Sequence, residues 1–256
     1  MGGALLKGWL AGKSGPVIVV EPKPSAELRA LAKKKSITLV ASPSKVRAKK
    51  ISVCLVALKP QILKHQAGEL ARFAQEGALM ISVAAGTHTS LLFEAWGNEA
   101  RIIRAMPNTP GAIGQGISGL FAAPGAKKGD KKQAEGLLSV LGQTVWVAKE
   151  DLIDSVTALS GSGPAYLFLM AEAMTEAGVA EGLPREQAER LARATVAGAG
   201  ALLAKDPSPA RQLREAVTSP NGTTEAALKV LMTKNGLMSL MKRAIHAARK
   251  RAEELR

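Results

Sequence analysis

Ile51 to Leu58 reads I-S-V-C-L-V-A-L, apolar almost end to end. A strand with one face in water alternates polar and apolar residues. A strand that does not alternate is covered on both faces, which is the habit of parallel sheets. Val17–Val20, Ile37–Val40, Ala78–Val83, Arg101–Met106, Gly119–Ala122 and Val145–Val147 are shorter runs of the same kind. Between them, apolar residues recur at helical spacing over Met1–Ala11, Ser25–Lys35, Pro60–Ala74, Thr87–Trp96 and Lys131–Leu141. Strands alternating with helices predict an α/β fold: a doubly wound, Rossmann-type parallel sheet with helices on both faces.

After Asp151 the strand signals stop. Helices are predicted over Asp151–Leu159, Pro164–Gly178, Arg185–Ala204, Pro209–Val217, Thr223–Asn235 and Leu237–Leu255. The shift divides the chain into a dinucleotide-binding domain, 1–150, and an all-helical domain, 151–256. Helices between Arg185 and Leu255 carry Ala, Leu and Met on more than one face, so they bury against each other in a monomeric bundle or against another copy. Ser160-Gly161-Ser162-Gly163-Pro164 predicts a break between two of these helices, with free N–H groups and two hydroxyls at a helix start. Such a place suits a small anion or a nucleotide, and equally a plain corner.

Composition narrows the function. The net charge is +14, but the Lys and Arg residues are spread along helices, and a single Tyr, four Phe and three Trp leave little for base stacking. A solvated basic surface is expected, with no nucleic-acid partner. Charges interrupt every apolar run before bilayer length, so no membrane span is expected. No secretory leader is read at Met1, and one cysteine, Cys54, allows no internal disulfide. A reducing cytoplasm is the expected compartment. His65, His88 and His246 have no metal-ligand or triad spacing, and no metal is expected.

The start of the chain is unusual for this fold. A doubly wound nucleotide-binding domain opens with a strand, a Gly-rich turn and a helix; here a helix comes first. Gly2 and Gly3 stand where the tail of G-x-G-x-x-G would. Glu21, closing the Val17–Val20 strand, falls about 20 residues beyond them, where an acid meets ribose hydroxyls. The pattern is that of a dinucleotide fold without its first strand.

Five motifs in order then resemble the Δ1-pyrroline-5-carboxylate reductase family over essentially the whole length. They are Val56-Ala57-Leu58-Lys59-Pro60, Ser82-Val83-Ala84-Ala85-Gly86 and Arg104-Ala105-Met106-Pro107-Asn108-Thr109-Pro110. Glu150-Asp151-Leu152-Ile153-Asp154 leading into Leu159–Tyr166, and Val217-Thr218-Ser219-Pro220-Asn221-Gly222-Thr223-Thr224, complete the set. The family carries a strand and G-x-G-N-M-G before its first helix; this sequence begins at what looks like the Met of that motif. Asn221 replaces the first glycine of the family's usual pair, and Asn tolerates the left-handed turn such a position needs.

The resemblance implies reduction of the C=N bond of 1-pyrroline-5-carboxylate to proline, with NADPH as cofactor and NADH as alternative. It implies a homodimer or higher homo-oligomer built on the C-terminal helices. Gly2, Gly3, Glu21, Ser44, Ala57, Leu58, Lys59, Pro60, Ala84, Ala85 and Asn108 are the cofactor candidates. Ser44 stands where many relatives carry Asn. Glu21 favours ribose hydroxyls, and Lys23 with Lys33–Lys35 offers an offset for a 2′-phosphate. Ser219, Gly222 and Thr223 offer backbone N–H groups to a substrate carboxylate, though the same turn also reads as a capped helix start. The family assigns the hydrogen bond to the ring nitrogen to the residue matching Thr224. Two alternatives stand beside this one: a catalytically silent truncated relative, and a related imine or 3-hydroxyacid reductase.

Overall fold

The computed structural model describes residues 1–12, 15–35, 37–47 and 50–255. It holds α1 (Gly2–Ala11), β1 (Ile18–Val20), α2 (Ala26–Lys35), β2 (Thr38–Val40), β3 (Val53–Val56), α3 (Pro60–Gln66), α4 (Ala71–Gln75), β4 (Leu79–Ser82) and α5 (Thr89–Trp96). Then come β5 (Arg101–Met106), β6 (Gly116–Ala122), α6 (Lys128–Leu138), β7 (Gly142–Trp146) and α7 (Leu152–Val156). Five helices follow: α8 (Gly163–Ala180), α9 (Arg185–Lys205), α10 (Ala210–Ala216), α11 (Thr223–Leu231) and α12 (Leu237–Glu254). The chain forms two compact units, Met1–Gly161 with Arg249–Arg256, and Ser162–Ala248.

In the first unit the strands' two-residue period feeds two cores. Met80 and Ile102 point to one face of the sheet, where they meet Leu63 of α3, Phe73 of α4 and Leu92 and Trp96 of α5. Leu79, Ile81 and Ile103 point to the other, where they meet Leu5 of α1 and Leu138 of α6. Every residue of β4 is buried. Each fully buried Leu or Ile contributes about 1.5–3 kcal/mol, which is why these runs do not alternate. Helices on both faces of a mostly parallel sheet are the predicted α/β arrangement.

The sheet itself comes in two pieces. Strands β3-β4-β5-β6-β7 form one, and β1-β2 form another. Both β1–β2 and β3–β4–β5 pair in parallel. Ile18 and Val40 pack on the same core as Val56, so apolar contact joins the pieces where no ladder does. Among the described residues, β1 pairs only with β2 and β3 only with β4, so each leaves an edge of backbone groups unpaired.

Several elements differ from expectation. Strand β6 runs antiparallel to β5. The connection 107–115 is too short for a crossover helix and holds only a tight turn, Thr109–Ile113. The helix predicted over Pro60–Ala74 divides at a 3₁₀ turn, Ala67–Leu70, which contains Gly68. There the Ala67 carbonyl accepts from the Trp96 indole N–H at 2.9 Å, a partner from outside the helix. Helix α11 stops at Leu231 instead of Asn235, where Thr233 turns its hydroxyl back onto the Val230 carbonyl at 3.0 Å. The predicted break at Ser160–Pro164 is no open loop. Thr157–Gly161 form a π-helical turn, and Ser160 Oγ donates to the Val156 carbonyl at 3.0 Å.

Cys54 lies in the centre of β3. Burial pushes its thiol up to about 12.

Candidate active site

The predicted cofactor residues of the first unit gather at the C-terminal ends of parallel strands, where open α/β sheets bind ligands. Glu21 follows β1, its N–H held by the Val40 carbonyl at 2.9 Å and its Oε1 accepting from the Lys23 N–H at 3.0 Å. Ser44 follows β2; its hydroxyl lies 2.9 Å from that of Ser42, and its carbonyl accepts from Arg47 Nη1 at 3.0 Å. Arg47 escaped sequence reasoning. Its signal was a cation just past an acid-ended strand pair, where a 2′-phosphate is read in dinucleotide folds. The offset expected of Lys33–Lys35 ends on Lys35, whose side chain lies outside the described residues.

Ala57 and Lys59 are exposed beyond β3, and Pro60 occupies the first position of α3, where its missing N–H costs nothing. Ala84 is buried after β4, and Ala85 half-buried beside it. Asn108 follows β5. Its Oδ1 accepts from the Ile117 N–H at 2.9 Å, fixing the start of β6 and leaving the amide nitrogen as the end available to a ligand.

Gly2 and Gly3 form the first turn of α1, which no side chain caps. A helix start carries unpaired N–H groups and the positive end of the dipole, so it suits phosphate. The two glycines are not equivalent. A Cβ on Gly2 would lie 3.2 Å from that of Ala57, whereas one on Gly3 would meet nothing within 4 Å. Gly2 therefore sets how closely α1 approaches the end of β3. An uncapped helix start, an acid at one strand end and hydroxyls with a guanidinium at the next are the donor and acceptor set a phosphorylated dinucleotide needs. The residues present fit it.

The second unit carries the predicted substrate turn. Asn221 has φ 59°, the one non-glycine left-handed residue among those described. Its N–H donates to Glu225 Oε2 at 2.9 Å, and Lys229 Nζ lies 3.3 Å from that same oxygen. The Gly222 N–H donates to the Ser219 carbonyl at 3.0 Å, so it closes the turn. Gly222 then caps α11 without a side-chain bond, leaving the N–H groups of Thr223 and Thr224 in its first turn. Ser219 and Thr223 are exposed and Thr224 is half-buried. Asn221→Ala should lower stability by about 1 kcal/mol, the cost of a Cβ in the left-handed region without a side-chain amide, while Asn221→Gly should leave it within about 0.5 kcal/mol. Denaturant midpoints of the two variants check this.

Among known proteins, residues 150–255 match the family of pyrroline-5-carboxylate reductase dimerisation, and residues 1–86 match that of NADP oxidoreductase, coenzyme F420-dependent. The pyrroline-5-carboxylate reductase of Pseudomonas aeruginosa is 43% identical over 235 residues, 91% of this chain and 85% of that one. That of Arabidopsis thaliana is 40% identical over 84% of this chain and 77% of its own. Among solved structures, the pyrroline-5-carboxylate reductase of Coxiella burnetii superposes with a TM-score of 0.90 at 37% identity, over 99% of this chain and 94% of that one. Pyrroline carboxylate reductase of Plasmodium falciparum, solved with NADP bound, superposes at 0.81 with 28% identity, over 100% of this chain and 94% of that one. A prephenate dehydrogenase from A. aeolicus shares only the fold, at 0.52 and 14%. With that identity to the Pseudomonas enzyme across 91% of its length, the chain belongs to the pyrroline-5-carboxylate reductase family.

Proposed function

We propose that this chain reduces the C=N bond of 1-pyrroline-5-carboxylate to L-proline, the last step of proline biosynthesis, with NADPH as reductant and NADH as alternative. The reading rests first on the 43% identity to a pyrroline-5-carboxylate reductase. Family membership makes the chain an NAD(P)H-dependent oxidoreductase. In functional terms we divide it into a dinucleotide-binding domain, 1–150, and a substrate and dimerisation domain, 151–256. The match of residues 150–255 to the dimerisation family supports that division.

Reduced nicotinamide supplies the hydride when bound. The chain's own residues bind and orient. Gly2 and Gly3 take the pyrophosphate on the open turn of α1. Glu21 and Ser44, with Arg47, take the adenosine ribose and its phosphate. Ala57, Leu58, Lys59 and Pro60 line the path between, with Ala84, Ala85 and Asn108 towards the nicotinamide. In the second unit, Ser219, Gly222 and Thr223 shape the turn that receives the substrate carboxylate. The Thr224 hydroxyl holds the ring nitrogen and stays with the amine as it forms. A cyclic imine can arrive protonated, so a tuned general acid is not needed.

The second unit is built to associate. Phe168 of α8 is 65% exposed and Val230 of α11 70% exposed, with Leu167, Leu169, Leu202 and Met238 also open to solvent. A surface so apolar marks an interaction site. With the dimerisation match it supports a homodimer or larger homo-oligomer through the C-terminal helices. No described helix is long and apolar enough to cross a membrane. We assign the protein to the cytoplasm, in keeping with its single cysteine.

The test is turnover. NADPH should be consumed with pyrroline-5-carboxylate, while 3-hydroxyacids with NADP should give no reduction. Turnover of the 3-hydroxyacid alone would overturn the substrate assignment. The edges of β1 and β3, unpaired among the described residues, favour a second reading, a folded but silent relative, which adding a strand ahead of Met1 would separate from the first.

A further inference from the structure

Two of the family-like motifs have a member with no part in the site described so far, Arg104 and Glu150, and the structure brings these two residues together. Arg104, 1% exposed in β5, donates Nη1 to Glu150 Oε1 at 2.8 Å, and the Glu150 side chain is 9% exposed. The same Oε1 accepts from the Thr89 N–H at 2.8 Å. Oε2 accepts from Thr89 Oγ1 at 2.5 Å and lies 2.9 Å from His88 Nε2. His88 Nδ1 faces Ser90, 3.1 Å from its Oγ and 3.4 Å from its N–H, so Nε2 is the ring nitrogen turned to Glu150. One carboxylate thus takes four donors from two places: the start of α5 and the middle of β5.

Those two places flank the two cofactor-side turns. Ser82, the last residue of β4, pairs in register with Arg104. The segment from Ser82 to Thr89 contains Ala84 and Ala85, and Met106–Asn108 follows Arg104 by two residues. The root of each turn is held by Glu150. Resting on the reading of this fold as a dinucleotide-binding enzyme, we propose that Glu150 is a positioning residue that fixes the turns at 84–86 and 106–108 in one arrangement for the cofactor.

The competing role is simple structural support, so the test must separate the two. Glu150→Gln keeps the shape but removes the charge: with the amide nitrogen facing Arg104 and the Thr89 N–H two bonds are lost, and with it facing Thr89 Oγ1 and His88 those two contacts must reverse direction while the Arg104 pair loses its charge. Thr89→Val removes one bond and leaves the Arg104 pair intact; Thr89→Ser restores the hydroxyl. Hydrogen exchange on the free chain is read over 83–89, 104–108 and, as control, 53–56. Glu150→Gln should speed exchange in both turn segments together by about tenfold or more and leave the control unchanged. Titration with NADPH should show weakening on the order of tenfold, with the KM for pyrroline-5-carboxylate moved less than about twofold. Thr89→Val should show a smaller effect of the same pattern, and Thr89→Ser none.

Exchange that rises everywhere, or in neither turn, overturns the proposal. So does an NADPH affinity equal to that of the parent chain. Should Glu150→Gln fail to fold, the Thr89 pair decides: equal exchange and equal affinity in Val and Ser variants overturn it. A parent chain that binds no NADPH, with the exchange pattern present, counts against the enzyme reading and not against the coupling of the two turns.

Discussion

Thr224→Ala should lower kcat/KM for pyrroline-5-carboxylate by about 10²-fold, ~2.7 kcal/mol of transition-state stabilisation, with NADPH affinity unchanged. The second residue of an uncapped helix start, Thr224 is half-buried and sits beyond a turn locked by the Asn221 left-handed backbone and the Gly222–Ser219 bond. In the proposed reading its hydroxyl is the side-chain hydrogen-bond partner of the ring nitrogen. On that reading, alanine would leave the nitrogen without this partner just as it becomes an amine. Thr224→Ser should keep activity within a few-fold, roughly the cost of a freer rotamer. Steady-state kinetics on the three proteins checks both statements. An alanine variant as active as the parent would remove Thr224 from the mechanism.

A chain that carries a strand of about five residues and a glycine turn joined ahead of Met1 should bind NADPH about 10²-fold more tightly than the 256-residue chain. The open edges of β1 and β3 are parallel in sense to their neighbours, and α1 starts against the end of β3, with Gly2 close to Ala57. A strand running into Met1 arrives at that edge in the right direction. It would pair backbone groups that no strand pairs among the described residues, and would fix the helix start proposed to receive phosphate. Two or three net hydrogen bonds at about 1 kcal/mol each account for the expected gain. Titration of NADPH into both chains measures it. Turnover only in the longer chain would support the enzyme reading with the added strand essential. Equal turnover would mean the two-piece sheet suffices, and turnover in neither folded chain would favour the silent relative.

Most of the fold was legible because burial on both faces leaves no choice of residue. β4 and β5 were readable to within a residue from Leu79–Ser82 and Arg101–Met106 alone. Where the structure departed from expectation, a partner distant in sequence decided. The indole of Trp96 ends the first stretch of the Pro60 helix, and a short connection reverses β6. The Ser160–Pro164 stretch misled because Gly and Pro signal a turn locally, whereas the chain there widens into a π turn closed by the Ser160 hydroxyl. The strand-end residues of the candidate site could be placed because parallel sheets put loops of one kind at one end. The Glu150 cluster could not, since Thr89, Arg104 and Glu150 are far apart in sequence and no periodicity links them.

Cys54 turns the open edge of β3 into something a mass spectrometer can time. Burial pushes the Cys54 thiol up to about 12, so the closed strand keeps it in the poorly nucleophilic protonated form. Reaction then proceeds through moments when β3 peels away and the thiol regains an ordinary acidity. Because the sequence holds no other cysteine, a single mass increment reports that one event without ambiguity. The labelling half-life is therefore a clock for the stability of this half of the sheet, and anything that settles along the edge, strand or nucleotide, should slow it.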